Sequence, residues 1–317
     1  MKRHLLIAAA VIAAGLGIGA AAWSQSPYDV RALAALSDKE LMKLPAKKLF
    51  SSFTTPASTM KSRPIGFYSK GCQAGAVALP VDGPAWQVIR LSRNRNWGQP
   101  QLVDLIERLA VEAKANDGWN GLLVGDMSMP RGGPMPSGHA SHQVGLDADI
   151  WFKQMPDHRM TAKERENIKP EVLAPTRHSV DKALWSEAHA RLLKRAASYP
   201  EVERIFVNPP IKAALCKWAT GDRSWLAKVR PYYNHNYHFH IRIACPAGST
   251  KCKPQPPVAM EDGTGCGKDL AYWMGNAPWK RIEHPPPEKK PTKPVKPPAP
   301  LTLASFPAEC RAVVTAE

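Results

Sequence analysis

Two clusters hold the residues best suited to chemistry in this 317-residue chain with ten histidines. The first reads Gly138-His139-Ala140-Ser141-His142-Gln143-Val144-Gly145-Leu146-Asp147-Ala148-Asp149. The second reads His235-Asn236-Tyr237-His238-Phe239-His240. Two histidines and one carboxylate make a zinc site whose fourth position stays open, as hydrolytic sites require. His238 and His240 are two apart, so in a strand both imidazoles share one face. One can serve as a ligand and the other as a neighbouring base, while Phe239 and Ile241 pack behind them. Gly145 permits a tight turn or a close backbone approach. A strand after it would carry Asp147 and Asp149 on one face, so His142 and Asp149 can converge on one ion. Alone, each cluster has an ordinary reading. The first could be a turn capped by Ser141 with Asp149 paired to a surface arginine, and the second a chance pair of exposed histidines. Together they favour the metal. Two other catalytic patterns are missing from the sequence. Ser137 and Ser141 lie near histidines without a G-x-S-x-G elbow, and no HExxH occurs.

These clusters need strands to hold them and helices to cover the strands. Four strands are expected, at Gly121–Met127, Gly145–Phe152, Val202–Asn208 and His238–Cys245. Gln99–Asn116 reads as an amphipathic helix, with Leu102, Leu105, Ile106, Leu109, Ala110 and Ala113 at helical spacing. Asp181–Tyr199 reads as a second, with Leu184, Trp185, Ala188, Leu192 and Leu193 on one stripe. A shorter helical stretch is expected around Arg31–Leu44. The fold class is α+β, with a small antiparallel sheet carrying the zinc site, helices and long loops around it, and disulfide staples. Beyond Cys252 the composition shifts to Pro, Gly and Lys. Residues 285–300 read as an extended polyproline-type spacer or electrostatic tether.

Residues 1–24 carry Lys2 and Arg3, an apolar run from Leu5 to Ala22, and the small residues Ala20-Ala21-Ala22. That pattern is a cleavable secretory signal; the alternative is an uncleaved single-span anchor. Either way the rest is exported, so the six cysteines meet an oxidising compartment and three disulfides are expected. Cys245 and Cys252 are close enough for a local loop. The chain holds 43 Lys plus Arg against 27 Asp plus Glu, a formal charge of +16. Nucleic acid is the less fitting partner for an exported chain without a nucleic-acid module. A polyanionic surface such as peptidoglycan fits better, beside the plain reading of a soluble basic surface. With 10 Trp the chain needs a core and is not wholly disordered. A single apolar run also excludes a multi-span membrane protein.

GHASHQVGLDADI, followed later by HFHIRI, closely resembles the penicillin-insensitive murein endopeptidases, within the wider group of lysostaphin-type and D-Ala-D-Ala metallopeptidases. The resemblance extends to Val124-Gly125-Asp126-Met127, Arg204-Ile205-Phe206-Val207-Asn208-Pro209, Lys228-Val229-Arg230-Pro231 and the cysteine positions, from about Gly66 to Cys310. It implies zinc ligands at His142, Asp149 and His240, with His139 a further ligand or a neighbour for a second zinc. It places His238 as base or transition-state stabiliser, with His235 beside it. It also implies disulfides Cys72–Cys310, Cys216–Cys266 and Cys245–Cys252, and as substrate the D-alanyl–meso-diaminopimelyl cross-link of peptidoglycan in the periplasm. A D,D- or L,D-carboxypeptidase on the same scaffold and a non-catalytic peptidoglycan-binding module are the rival functions. Arg230 and Arg242 are candidates to hold peptide carboxylates, or ordinary surface pairs. Asp126 is a candidate to orient a ligand histidine, or a plain turn carboxylate. The family's positions for a second metal meet Pro175-Thr176-Arg177-His178-Ser179 here, with His178 the only candidate. The expected organisation is a signal peptide at 1–24, an N-terminal extension at 25–65 and a zinc peptidase domain at 66–252. A Pro/Lys-rich C-terminal extension tethered by disulfides follows at 253–317, and no stable membrane span is expected after signal cleavage.

Overall fold

The computed structural model describes residues 28–280 and 299–317. The signal segment and most of the proline–lysine stretch lie outside the described residues. The strands are β1 (Arg63–Phe67), β2 (Lys70–Ala74), β3 (Val77–Ala78), β4 (Trp86–Val88), β5 (Trp97–Gly98), β6 (Leu122–Val124), β7 (Asp147–Trp151), β8 (Val202–Val207), β9 (Val229–Pro231) and β10 (His238–Ile243). The helices are α1 (Val30–Ala35), α2 (Asp38–Leu41), α3 (Ala46–Phe50), α4 (Pro100–Asn116), α5 (Ala162–Asn167), α6 (Glu187–Ser198), α7 (Pro209–Trp218), α8 (Lys268–Met274) and α9 (Cys310–Thr315).

Six strands form the main sheet in the order β4-β6-β7-β10-β8-β9. Its middle is antiparallel, with His240 opposite Asp149 and Arg242 opposite Asp147. Because side chains alternate, these four residues share one face. Ala148, Ile150, Phe239 and Ile241 point to the other face, into the main core. There α4 buries the predicted stripe from Leu102 to Ala113, and α6 buries Leu192 and Leu193. Each such large apolar side chain contributes roughly 1.5–3 kcal/mol, so the polar face is held in register by the apolar one.

A small antiparallel sheet is the expectation; the observed sheet is antiparallel in its middle strands and mixed at its two edges. β4 pairs with β6, and β8 with β9, in parallel. A parallel pair needs a crossover, and α4 and α7 supply the two. Both partners added at the edges, β4 and β9, have only three residues, too few to show alternation. The second predicted helix starts later than expected, at Glu187. Asp181 instead closes a turn, accepting from the Ala183 and Trp185 amides at 2.8 Å each. Ser186 then caps the helix together with His189. The stretch 31–44 splits into α1 and α2, where Ser37 and Glu40 form a capping box.

A second core joins the two ends of the described chain. Leu33, Leu41, Leu49 and Phe50 meet Leu303, Phe306, Val313 and Val314. Arg131 is buried beside it and donates to the carbonyls of Val313 and Ala316, both at 2.7 Å, with Phe53 4.2 Å from its guanidinium. Burial pushes its pKa down to about 10. The three disulfides pair Cys72 with Cys310, Cys216 with Cys266, and Cys245 with Cys252, as the resemblance implied. Among the described residues no helix is long and apolar enough to cross a membrane.

Candidate metal centre

β7 and β10 bring the two sequence clusters together. A tight turn precedes β7, and it requires glycine. Gly145 has φ +73°, and a Cβ there would meet the Gln73 side chain at 1.8 Å. His142, just upstream, also has a left-handed backbone, φ +65°. A non-glycine residue in that region is strained, and three contacts hold it there. Its amide donates to Asp147 Oδ2 at 3.0 Å, its carbonyl accepts from Ser128 Oγ at 2.6 Å, and its Nδ1 donates to the Met127 carbonyl at 2.6 Å.

That last bond fixes the tautomer, because a carbonyl only accepts. His142 Nε2 therefore presents a lone pair. It lies 3.1 Å from His240 Nδ1. His240 Nε2 donates to Asp147 Oδ1 at 2.9 Å, so His240 Nδ1 presents a lone pair as well. Two lone pairs at that distance repel unless a cation or proton sits with them. Asp149 Oδ1 lies 3.4 Å from His142 Nε2 and 3.3 Å from His240 Nδ1, and is buried without a hydrogen-bond partner. His139 Nε2 donates to Asp126 Oδ2 at 3.0 Å, which leaves its Nδ1 3.4 Å from Asp149 Oδ2. Ligand atoms of His139, His142 and Asp149 all lie within 4.8 Å of one another. Convergent lone pairs and an orphaned carboxylate oxygen fit a divalent cation.

His238 stands next to this group, with Nε2 3.5 Å from Asp149 Oδ2 and a buried Nδ1 that has no partner. The His235 ring is 5.1 Å from that of His238, and its Nδ1 donates to the Tyr233 carbonyl at 2.6 Å. His235 and Asn234 both have left-handed backbones, φ +52° and +55°. His178 is exposed and stands outside the group.

The electrostatics follow from burial and charge. Burial would raise Asp149, but the neighbouring His238 and His142 hold it well below the usual carboxylate range. Burial would raise Asp126 too, yet His139, Arg95 and Arg93 bring it to about 2. Burial pushes His142 down, and it pushes His235 to about 3 with help from His238 and His240. For His240 burial is outweighed by the Asp147 carboxylate, so its pKa is raised.

Sequence reasoning left Asp147 without a role of its own. It is fully buried and binds the His142 amide, His240 Nε2 and Arg242 Nε, the last at 2.7 Å. Its position two residues before Asp149 was the available signal. Arg242, a candidate either for a peptide carboxylate or for ordinary pairing, is buried against Asp147 and Gln255. Arg230 pairs with Asp269 at 3.2 Å. The cavity beside His139 and Asp149, about 190 Å³, is lined instead by Arg90, Arg93, Trp151, Pro170 and Tyr237. Arg90 and Arg93 come from a turn far upstream, with no nearby motif to mark them.

A family model described as penicillin-insensitive murein endopeptidase matches residues 64–315. The chain is similar to proteins carrying that name. It is 45% identical to one from Haemophilus influenzae over 249 residues, covering 78% of this chain and 82% of the relative. It is 43% identical to one from Klebsiella pneumoniae, covering 79% and 85%, and 42% identical to one from Yersinia pestis, covering 74% and 82%. With the family model spanning most of the chain and relatives of this identity, the chain belongs to the penicillin-insensitive murein endopeptidase family.

Proposed function

We propose that this chain is a zinc-dependent, penicillin-insensitive murein endopeptidase of the periplasm, hydrolysing the D-alanyl–meso-diaminopimelyl cross-link amide of peptidoglycan. The observation that carries the reading is the convergence of His142 Nε2, His240 Nδ1 and the unpartnered Asp149 Oδ1 on one point. His142, Asp149 and His240 hold the zinc, with His139 as a further ligand or close neighbour. When bound, zinc supplies Lewis acidity and a water whose pKa falls to near 7.

The chain's own residues do the rest. Met127 and Asp147 fix the tautomers of His142 and His240, so neither ligand turns when substrate arrives. Asp126 holds His139 in the same way. His238 places Nε2 3.5 Å from Asp149 Oδ2, and this nitrogen would accept a proton from the attacking water and return it to the leaving amine. His235 packs against His238 and limits its rotation. No serine attacks the carbonyl on this reading, so a β-lactam finds no hydroxyl to acylate. The catalytic unit is the zinc peptidase domain at 66–252, with 25–65 and 253–317 as extensions. The secretory pattern at 1–24 and three disulfides support an exported location.

The test is a digest of purified cross-linked muropeptide dimers, with and without chelator, read by mass. Dimers should become monomers, with chelator abolishing the conversion and penicillin leaving it unchanged. Loss of terminal D-alanine from intact dimers would instead establish a carboxypeptidase. No change with zinc added back would point to a wall-binding module.

A further inference from the structure

Arg90 follows β4 and opens the turn Leu91–Arg93 with a left-handed backbone, φ +57°. Its amide donates to the Arg165 carbonyl at 3.2 Å, and its Nη2 to the Ile168 carbonyl at 3.0 Å. Its Nε is buried and has no partner. The guanidinium lies 5.9 Å from the Trp151 ring. Among the described residues no carboxylate pairs with it. The neighbouring arginines differ. Arg93 and Arg95 both bind Asp126 Oδ2, at 3.0 and 2.8 Å. Arg93 and Arg95 thus share one carboxylate, and the left-handed turn holds Arg90 apart from it. The buried Nε is closed to any ligand, but Arg90 also lines the cavity, where no carboxylate of the described residues balances its charge, and an anionic group there would supply the counter-charge.

The ligand's chemistry follows from the cavity and from the proposed function, on which this inference rests. Arg90 lines the same cavity of about 190 Å³ as His139 and Asp149. A sphere of that volume is roughly 7 Å across, about two Cα steps of extended chain. In the proposed substrate, the nitrogen of the scissile amide sits on the D-centre of diaminopimelate, and that same carbon bears a free carboxylate. A carboxylate is therefore attached to the leaving amine, one residue from the bond that breaks.

We propose that Arg90 is a specificity-determining residue that binds this carboxylate on the leaving-amine side of the scissile bond, with Arg93 at the rim of the same cavity. The fork of guanidinium donors matches a carboxylate as an ammonium cannot. This assigns to Arg90 the role that Arg230 and Arg242 cannot fill while they are held by Asp269 and Asp147.

The experiment uses two dimers that differ only at the D-centre of diaminopimelate, carboxylate or carboxamide. Wild type, Arg90→Gln and Arg90→Lys are compared in the zinc-loaded full chain. Wild type should prefer the carboxylate dimer by at least about tenfold, mostly in KM. Arg90→Gln should cleave both dimers as wild type cleaves the carboxamide, and Arg90→Lys should keep part of the preference. Equal cleavage of the two dimers by wild type, or an equal loss on both in Arg90→Gln, would overturn the proposal and leave the endopeptidase reading standing. A calorimetric titration of both dimers into the chelated full chain reads Arg90 without turnover. Tighter binding of the carboxylate dimer by wild type and not by Arg90→Gln supports the assignment even if no dimer is cleaved. Equal binding overturns it.

Discussion

The core joining the ends of the described chain and the histidine cage on the sheet are held by different forces. In the first, Leu33, Phe50, Phe306 and Val313 pack with few polar demands, and Cys72–Cys310 closes a sequence separation of 238. In the second, Asp147, Asp149, His142, His238, His240 and Arg242 are all buried, and each depends on atoms of the others. Loss in an apolar core is graded, scaling with the volume removed. Loss in a buried polar network leaves unpaired groups behind, so one deletion is felt by all. The first region should therefore govern stability and the second function, with little cross-talk.

Substitutions can break that separation, and the largest effect falls in the cage. Asp149→Ala should cost at least about 10³-fold in kcat, because it removes the carboxylate that lies within 3.5 Å of ring nitrogens of four histidines. Steady-state assay with zinc quantitation checks it. His238→Ala should lose roughly 10²–10⁴ in kcat, the usual share of a proton-transfer group, while keeping its zinc. Full rate in that variant would refute His238 as the base. On the other side of the comparison, Cys310→Ser should lower unfolding free energy by about 3 kcal/mol yet leave activity per folded molecule intact, as denaturant titration and assay would show. Asp147→Asn tests the coupling inside the cage. Zinc affinity should drop roughly 10–100-fold, since His240 loses the carboxylate that orients it.

The smallest effect concerns a region remote from both. Lys212 is buried, with Nζ on the Leu226 and Thr264 carbonyls at 2.6 and 2.7 Å, and burial lowers its pKa to about 7 from 10.5. Between those values the unfolded chain holds a proton that the native chain has lost. Stability from this group is thus full above pH 10.5 and is lost as pH falls through 7. Melting temperature should rise by a few degrees from pH 7 to about 10, and Lys212→Met should flatten that rise.

The parts of this molecule readable from sequence were those with a short period. His238 and His240 fell on one face because the strand alternates, and α4 showed its stripe over seventeen residues. His142 and Asp149 were readable as a pair because Gly145 marks the turn between them. What stayed hidden had no period or depended on distant chain. β4 and β9 are three residues long and become strands only beside β6 and β8. The cap of α6 uses His189 at the third position, where Glu or Gln is the usual sign. Arg242 read equally as a substrate contact or an ordinary pair, because nothing local showed that Asp147 lies opposite it. Arg90 reaches the cavity from a turn about fifty residues before the first histidine cluster, and no local pattern records that.

The central claim is that one zinc ion is held by His142, Asp149 and His240 while His238 acts beside it. The most direct measurement is zinc per folded chain, by mass spectrometry under non-denaturing conditions, for wild type, His238→Ala and His240→Ala. The account predicts one zinc in wild type and in His238→Ala, and none in His240→Ala at the same free zinc. A full complement in His240→Ala, or no zinc in wild type, would contradict it.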